Sequence, residues 1–232
     1  MSENIKKTTK AFRVDLNSSE NQSILKPIAR YSFHNQVHQV NEAVKKIDKL
    51  IKNAPYSNDD IILNHNKIKE AFFSPFKPQL KNAQVFLSHS HADKNKALEV
   101  KNYLESETNH KVFVDSLFWD YKDDVLNELA EYDDISRIED AFTLILRESL
   151  QDMIEKCPYF VFLQSKNSVS NQGLSRITYS AWIYEELKIA HSISESRPIP
   201  MMESMQVFHD ISPFLEHLET ITLKKLSQQI NS

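Results

Sequence analysis

Glycine is almost absent from this chain of 232 residues, Gly173 being the single one. The phosphate-cradling loops GxGxxG and GxxxxGK[ST] need several glycines so that backbone amides can approach a pyrophosphate, so neither motif is present. Any nucleotide handled here has to be held by side chains and ordinary loops. Cysteine is as scarce: Cys157 stands alone, which excludes an internal disulfide and agrees with a reducing compartment. Also missing is any run of about 18 apolar residues. The start, MSENIKKTTKAFRV, lacks the apolar middle of a secretion signal. A cytoplasmic protein with no membrane partner is expected.

What is there is ordinary for a globular protein: 26% charged and 41% hydrophobic residues. The length suits one large domain, or one of about 140 residues with an appendage. The net charge of -4 conceals an asymmetry, since residues 1–82 carry 14 basic and 8 acidic side chains and the remainder 14 and 24. Opposite charge could dock the two parts on each other or attract a partner. Nucleic acid is not expected, because its binding calls for a concentrated basic face with interleaved aromatics.

Residues 1 to about 30 are polar without sustained periodicity and read as a loosely attached arm. From His34 to Ile51, the residues Val37, Val40, Val44, Ile47, Leu50 and Ile51 recur at three and four, which predicts an amphipathic helix ending before Pro55. A second helix is expected from Asp59 or Asp60 to Phe73, stopped by "SPFKP". Residues 1–82 thus form an arm and helical extension, and a domain of different character spans 83–232. There, "QVFLS" (84–88), "KVFVDS" (111–116), "YFVFLQS" (159–165) and "RPIPM" (197–201) read as strands, with helical stretches between them at 137–156 and 178–194. Such alternation predicts an α/β domain on a parallel sheet flanked by helices. The acidic segment around 117–136 is too long for a simple connection, and is either a functional loop or a small helical insertion. Ser136 or Asp134 is placed to cap the helix that follows, whose core stripe is Ile138, Ala141, Phe142, Ile145, Leu146 and Met153.

The most informative segment is "SAWIYEELKIAHSI" (180–193). At about 100° per residue, Trp182, Ile183, Leu187, Ile189, Ala190 and Ile193 fall on one apolar arc, with Tyr184, Lys188 and His191 opposite and Glu185 on the polar side. Glu186 falls in the middle of the apolar arc, where an unpaired carboxylate carries a heavy desolvation cost. In open parallel sheets ligands bind beyond the carboxyl ends of the strands. Those ends carry Ser88, His89, Ser90, Asp115, Ser116, Gln164 and Ser165.

"QVFLSHSHADK" followed by a helix, then "KVFVDS", "FVFLQSKNS" and "SAWIYEEL", in this order and spacing, resemble the successive signatures of a Toll/interleukin-1 receptor (TIR) domain over about residues 83 to 205. The form resembled is the standalone bacterial one, as in the TIR proteins of Thoeris anti-phage defence. The resemblance implies a flavodoxin-like topology. It also implies consumption of NAD by cleavage of the nicotinamide–ribose bond, releasing nicotinamide with ADP-ribose or a cyclic isomer. The family's catalytic glutamate, four residues after a tryptophan and directly before Leu or Ile, corresponds to Glu186. Ser88, His89 and Ser90 match the segment that contacts nucleotide, with His89 where an aromatic is common. Ser116 and Trp119 begin the segment that in the family closes over substrate or mediates assembly, and Trp182 matches the family tryptophan. NAD would enter as substrate, so no cofactor is expected; the partners implied are other TIR domains and a separate effector responding to the product. The chain departs from the family in two ways: the segment after Ser116 is longer and acidic, and few basic residues lie near the presumed cleft to hold a diphosphate.

Other readings of the same residues stay open. Glu186 could be buried in a structural ion pair with Arg176, Lys166 or Arg197, and the chain could be a catalytically silent TIR scaffold. Trp182 reads as core or cleft wall. His89 and His91 form H-x-H, but no third and fourth ligand stand at metal-site spacing, so no metal is expected. Cys157 precedes a buried strand and reads as a packed thiol.

Overall fold

The computed structural model describes residues 9–27, 35–53, 56–57, 60–61, 64–74, 82–114, 116–129, 136–172, 175–194 and 209–232. In chain order the main strands are β1 (Lys10–Asp15), β2 (Ala83–Ser88), β3 (Lys111–Val114), β4 (Tyr159–Gln164), β5 (Ser170–Gln172), β6 (Ser175–Thr178), β7 (His209–Asp210) and β8 (Glu219–Thr220). The helices are α1 (Ser19–Ile24), α2 (Asn35–Lys52), α3 (His65–Phe73), α4 (Lys94–Glu107), α5 (Ser116–Leu129), α6 (Ser136–Lys156), α7 (Ala181–Ser194), α8 (Ser212–Glu216) and α9 (Leu223–Asn231). Two compact units result: residues 1–28, 83–116 and 151–232 form one, and 29–82 with 117–150 form the other.

The first unit is built on a five-stranded sheet in the order β8-β1-β4-β2-β3, every neighbouring pair parallel. The expected α/β fold with a parallel sheet flanked by helices is therefore present; β3-β2-β4 keep the neighbour order of a flavodoxin-like sheet, but the N-terminal β1 stands beside β4 where that order has the next strand in sequence. β2 (AQVFLS) and β4 (YFVFLQ) are near-continuous apolar runs because they are buried on both faces. Their rings interlock across the sheet: Phe86 stacks on Phe160 at 5.8 Å and meets Phe113 at 5.6 Å. Behind β2, Ala97, Val100 and Leu104 of α4 are buried as their spacing predicts.

The N-terminal arm is corrected for residues 10–24. Lys10–Asp15 is an interior strand, paired along its whole length with β4 and then with β8. Only Phe12 and Val14 of this strand are fully buried, and charged residues flank them. Ala11, Phe12 and Val14, interrupted by Arg13 and bounded by Lys10 and Asp15, are too few to announce a strand. The expected boundary at residue 82 gives way with it, because β1 joins the sheet and the second unit takes up 117–150. The strand expected at 197–201 lies outside the described residues.

In the second unit the two helices expected of the extension are present, and α2 packs against α3. α3 begins at His65, later than expected, because the Asn64 side chain accepts the Lys67 amide at 3.1 Å and so caps the helix there. Upstream of it, Tyr56–Ser57 and Asp60–Ile61 pair antiparallel. Phe72 meets Phe73 and Phe142 edge-on at 4.9 and 5.1 Å, and Phe142, Ile145 and Leu146 are buried. The acidic segment is helical over Ser116–Leu129, in agreement with the second of its two readings. Among the described residues no helix is long and apolar enough to cross a membrane.

Candidate functional site

The strand order defines where a ligand crevice should open. From β2 the chain turns through α4 to β3 on one side, whereas from β4 it proceeds through β5, β6 and α7 toward β8 on the other. Connections diverge between β2 and β4, so their carboxyl ends form the topological switch point. Ser88 and His89 end the first of these strands; Gln164 and Ser165 end the second.

Glu186 comes to this point from α7. The Ser88 hydroxyl donates to Glu186 Oε2 at 2.5 Å, and both residues are 0% exposed. His89 (3%) and Ser116 (1%) are also enclosed. The Ser116 Oγ, at the first position of α5, is buried with no hydrogen-bond partner among the described residues. Ser90 is half-buried, and its carbonyl accepts the Asp93 amide at 2.8 Å. Trp182 is half-buried one turn before Glu186. Trp119 lies on α5, where its side chain is outside the described residues, as is Asp115. The structure thus brings Glu186 to Ser88 directly, on a strand end shared with His89.

A second polar knot lies beside this pair and was not singled out from sequence. Asp93, in the short 3-10 turn His91–Asp93, accepts hydrogen bonds from the Ser165 hydroxyl and, at 2.8 Å, from Asn167 Nδ2. Ser165 Oγ takes the Asn167 amide at 2.9 Å, while Ser168 Oγ takes the Ser165 amide at 2.8 Å. Ser165, Ser168 and Asp93 are all buried. The two loops at the switch point are therefore tied together by side chains, as a chain without glycine loops must do. The S-x-x-S spacing of Ser165 and Ser168, which lets hydroxyls fold back on nearby amides, is the signal that could have found this turn.

The polar face of α7 is a correction. Lys188, placed opposite the apolar arc by the helical wheel, is 8% exposed there and pairs with Glu185 at 3.7 Å. Tyr184 stacks on His209 at 4.6 Å and meets Phe214 edge-on at 5.6 Å; His191 approaches Phe214 at 5.5 Å and His217 at 4.8 Å. Residues 209–218 cover the side that a helical wheel assigns to water. Burial, and then the charge of Glu185, raise the Tyr184 pKa. The apolar arc itself is as expected, with Ile183, Leu187, Ile189 and Ala190 buried.

His89 and His91 part company, the first buried and the second exposed. Among the described residues no group of three or more His, Cys, Asp or Glu side chains is disposed to hold a metal ion. The Cys157 thiol donates to the Ala83 carbonyl at 3.7 Å, and burial pushes its pKa up to about 12, which makes it a poor nucleophile. Compared with known proteins, the chain matches no family model, no curated sequence and no solved structure.

Proposed function

We propose that this chain is a TIR-like enzyme that consumes NAD, with Glu186 as its catalytic carboxylate. The observation that carries the reading is the hydrogen-bonded pair of Ser88 and Glu186, fully buried at the carboxyl edge of a parallel sheet where strand connections diverge. Burying a carboxylate costs several kcal/mol even after relaxation. Packing alone would be better served by leucine or methionine at position 186. A carboxylate held away from water gains in value when positive charge develops beside it.

Cleavage of the nicotinamide–ribose bond produces such charge. The bonding electron pair leaves with nicotinamide, which departs neutral, and the ribose becomes oxocarbenium-like. Glu186 stabilises that state more than the ground state and accepts from the ribose hydroxyls. Ser88 fixes the orientation of the carboxylate, and His89 offers a ring against a base. Capture of the ribose by water gives ADP-ribose and a proton; capture by a nitrogen of the same nucleotide's adenine gives a cyclic isomer. With Glu186 enclosed in this conformation, substrate entry requires local opening around α7. In this reading the product acts as a signal in anti-phage defence, passed to a separate effector, and the protein works in the cytoplasm.

The test is incubation of the purified protein with NAD beside a Glu186→Gln variant, separating products by chromatography with mass detection. Nicotinamide released by the parent and lost in the variant is the expected result, and the accompanying nucleotide tells hydrolysis from cyclisation. Equal release by both proteins would remove Glu186 from the mechanism.

The closed state of Ser88, His89, Ser116 and Glu186 favours one alternative: a silent TIR scaffold that assembles through TIR–TIR contacts. That reading predicts no turnover by either protein at any concentration, together with concentration-dependent self-association that Glu186→Gln leaves intact.

A further inference from the structure

The helical unit, residues 29–82 with 117–150, is charged unevenly: its first part carries 9 basic and 5 acidic side chains, its second 3 and 10. In the first part an open groove of about 620 Å³ runs between α2 and α3. Leu50 and Ala71 give it an apolar wall, extended by the methylene stems of Lys46, Lys49 and Lys67, and Glu70 is the one carboxylate on its lining. At one end Lys46 Nζ donates to Glu42 at 2.5 Å and to Ser74 Oγ at 2.7 Å, which ties the two helices together. Lys49 and Lys67 are exposed, one on each helix, and neither ammonium has a partner among the described residues. An apolar wall between two unpaired cations fits an apolar side chain that arrives among carboxylates.

The second part of the same unit has such a side chain. Leu144 of α6 is 50% exposed, the one large aliphatic side chain so exposed among the described residues, and it belongs to the acid-rich stretch. It does not fill the groove of its own chain. α6 is held on another face of α3, where Phe142 meets Phe72 at 5.1 Å and Glu148 meets His65 and Lys69 at 3.1 and 3.3 Å. The groove is lined instead by Asn66, Lys67 and Glu70 of α3. Asp123 and Asp124 of α5 are exposed as well.

We propose that the groove between α2 and α3 docks a second copy of this chain, which inserts Leu144 of its α6 between Lys49 and Lys67. The acidic excess of residues 117–150 supplies the charge that those lysines lack within their own chain. Groove and inserted side chain are different surfaces of one unit, so the contact is head-to-tail and propagates into a ring or an open row. The groove spans only about two helical turns. It is small beside a stable interface of about 1,600 Å², so association is weak, driven by concentration and loosened by salt. The inference does not rest on the NAD-cleaving reading, since Ser88 and Glu186 belong to the other unit.

The test is sedimentation velocity of the full chain over a concentration series, at about 0.05 and about 0.5 M salt. The parent is compared with a Lys49→Glu, Lys67→Glu double variant and with Leu144→Gln. All three positions are exposed; circular dichroism checks folding, and Lys49→Gln with Lys67→Gln stands in should the charge reversal not fold. The parent should associate as concentration rises, less so at high salt, and each variant should associate at least about tenfold more weakly. An equimolar mixture of the two variants reads the orientation: one keeps the groove and the other keeps Leu144, so they should form a dimer and nothing larger. A parent that stays monomeric, a mixture that stays monomeric, or a mixture that grows beyond the dimer overturns the proposal. Association that survives undiminished in both variants belongs to contacts between TIR-like units and overturns it too.

Discussion

At the scale of single residues, burial decides what each polar group can do. Cys157 and Glu186 are both enclosed, yet their chemistry differs. The thiol, a weak donor, bonds to the Ala83 carbonyl, and desolvation keeps it protonated; the carboxylate has the Ser88 hydroxyl to hold its orientation. The thiol makes a stability prediction. Its pKa is raised in the folded state from the usual 9.0 to about 12, so its contribution is fully present below pH 9.0. Above that pH the unfolded chain ionises first, and stability is lost as pH rises toward 12. Urea unfolding at a series of pH values should show this decline, and Cys157→Ala should flatten it within that window. An unchanged slope in the variant would place the alkaline transition on other groups. Glu186 was legible from its position on the helical wheel, because a lone acid in an apolar arc breaks the pattern. Asp93 was not, because an acid in a polar segment breaks nothing.

Among elements, the joints matter more than the propensities. The C-terminal helix α9 is pinned by a residue about 200 positions upstream in sequence: Asn21 of α1 accepts the Leu223 amide through Oδ1 at 2.9 Å and donates from Nδ2 to the Asp15 carbonyl at 2.7 Å. One buried side chain thus joins the end of β1, the helix after it and the start of α9. Asn21→Ala strands the buried Leu223 amide and removes one of two hydrogen bonds to the part-buried Asp15 carbonyl, and should cost about 1–3 kcal/mol. Thr222→Ala, which removes the local cap on the Lys225 amide, should cost about 1 kcal/mol. Denaturant melts that rank the two in the reverse order would mean that α9 is held by its cap and not by the joint. Helices α4 and α6 were legible because their apolar stripes repeat over several turns. The covering of α7 by residues 209–218 was not, since the rings of His209, Phe214 and His217 come from a segment whose local sequence says nothing about its neighbour.

For the molecule as a whole, the parallel sheet depends on closure by both chain ends. β1 sits between β4 and β8, with Phe12 and Val14 fully buried. Its removal would expose the backbone groups of β4 along that edge and detach β8. Deleting residues 1–16 should therefore abolish cooperative thermal unfolding, as followed by far-UV circular dichroism. An arm of the kind suggested by composition would tolerate the same deletion, and a sharp melt in the truncated chain would restore that view.

The sequence by itself determined what depends on local pattern and on composition. The runs at 84–88, 111–114 and 159–164 are strands because three to five consecutive apolar residues leave no polar face. The spacing of Phe142, Ile145 and Leu146 gives a helix, a single glycine rules out phosphate-cradling loops, and an acid within an apolar arc marks Glu186. Tertiary structure alone decided which strands are neighbours, since parallel pairing joins residues far apart in sequence and leaves no local trace. It put a weakly apolar N-terminal strand at the interior of the sheet and covered a helical face that looked solvated. Hydrogen bonds between parallel strands read backbone register and not side-chain identity. A six-residue strand with only two fully buried apolar side chains can therefore occupy the interior when its neighbours supply the rest of the core.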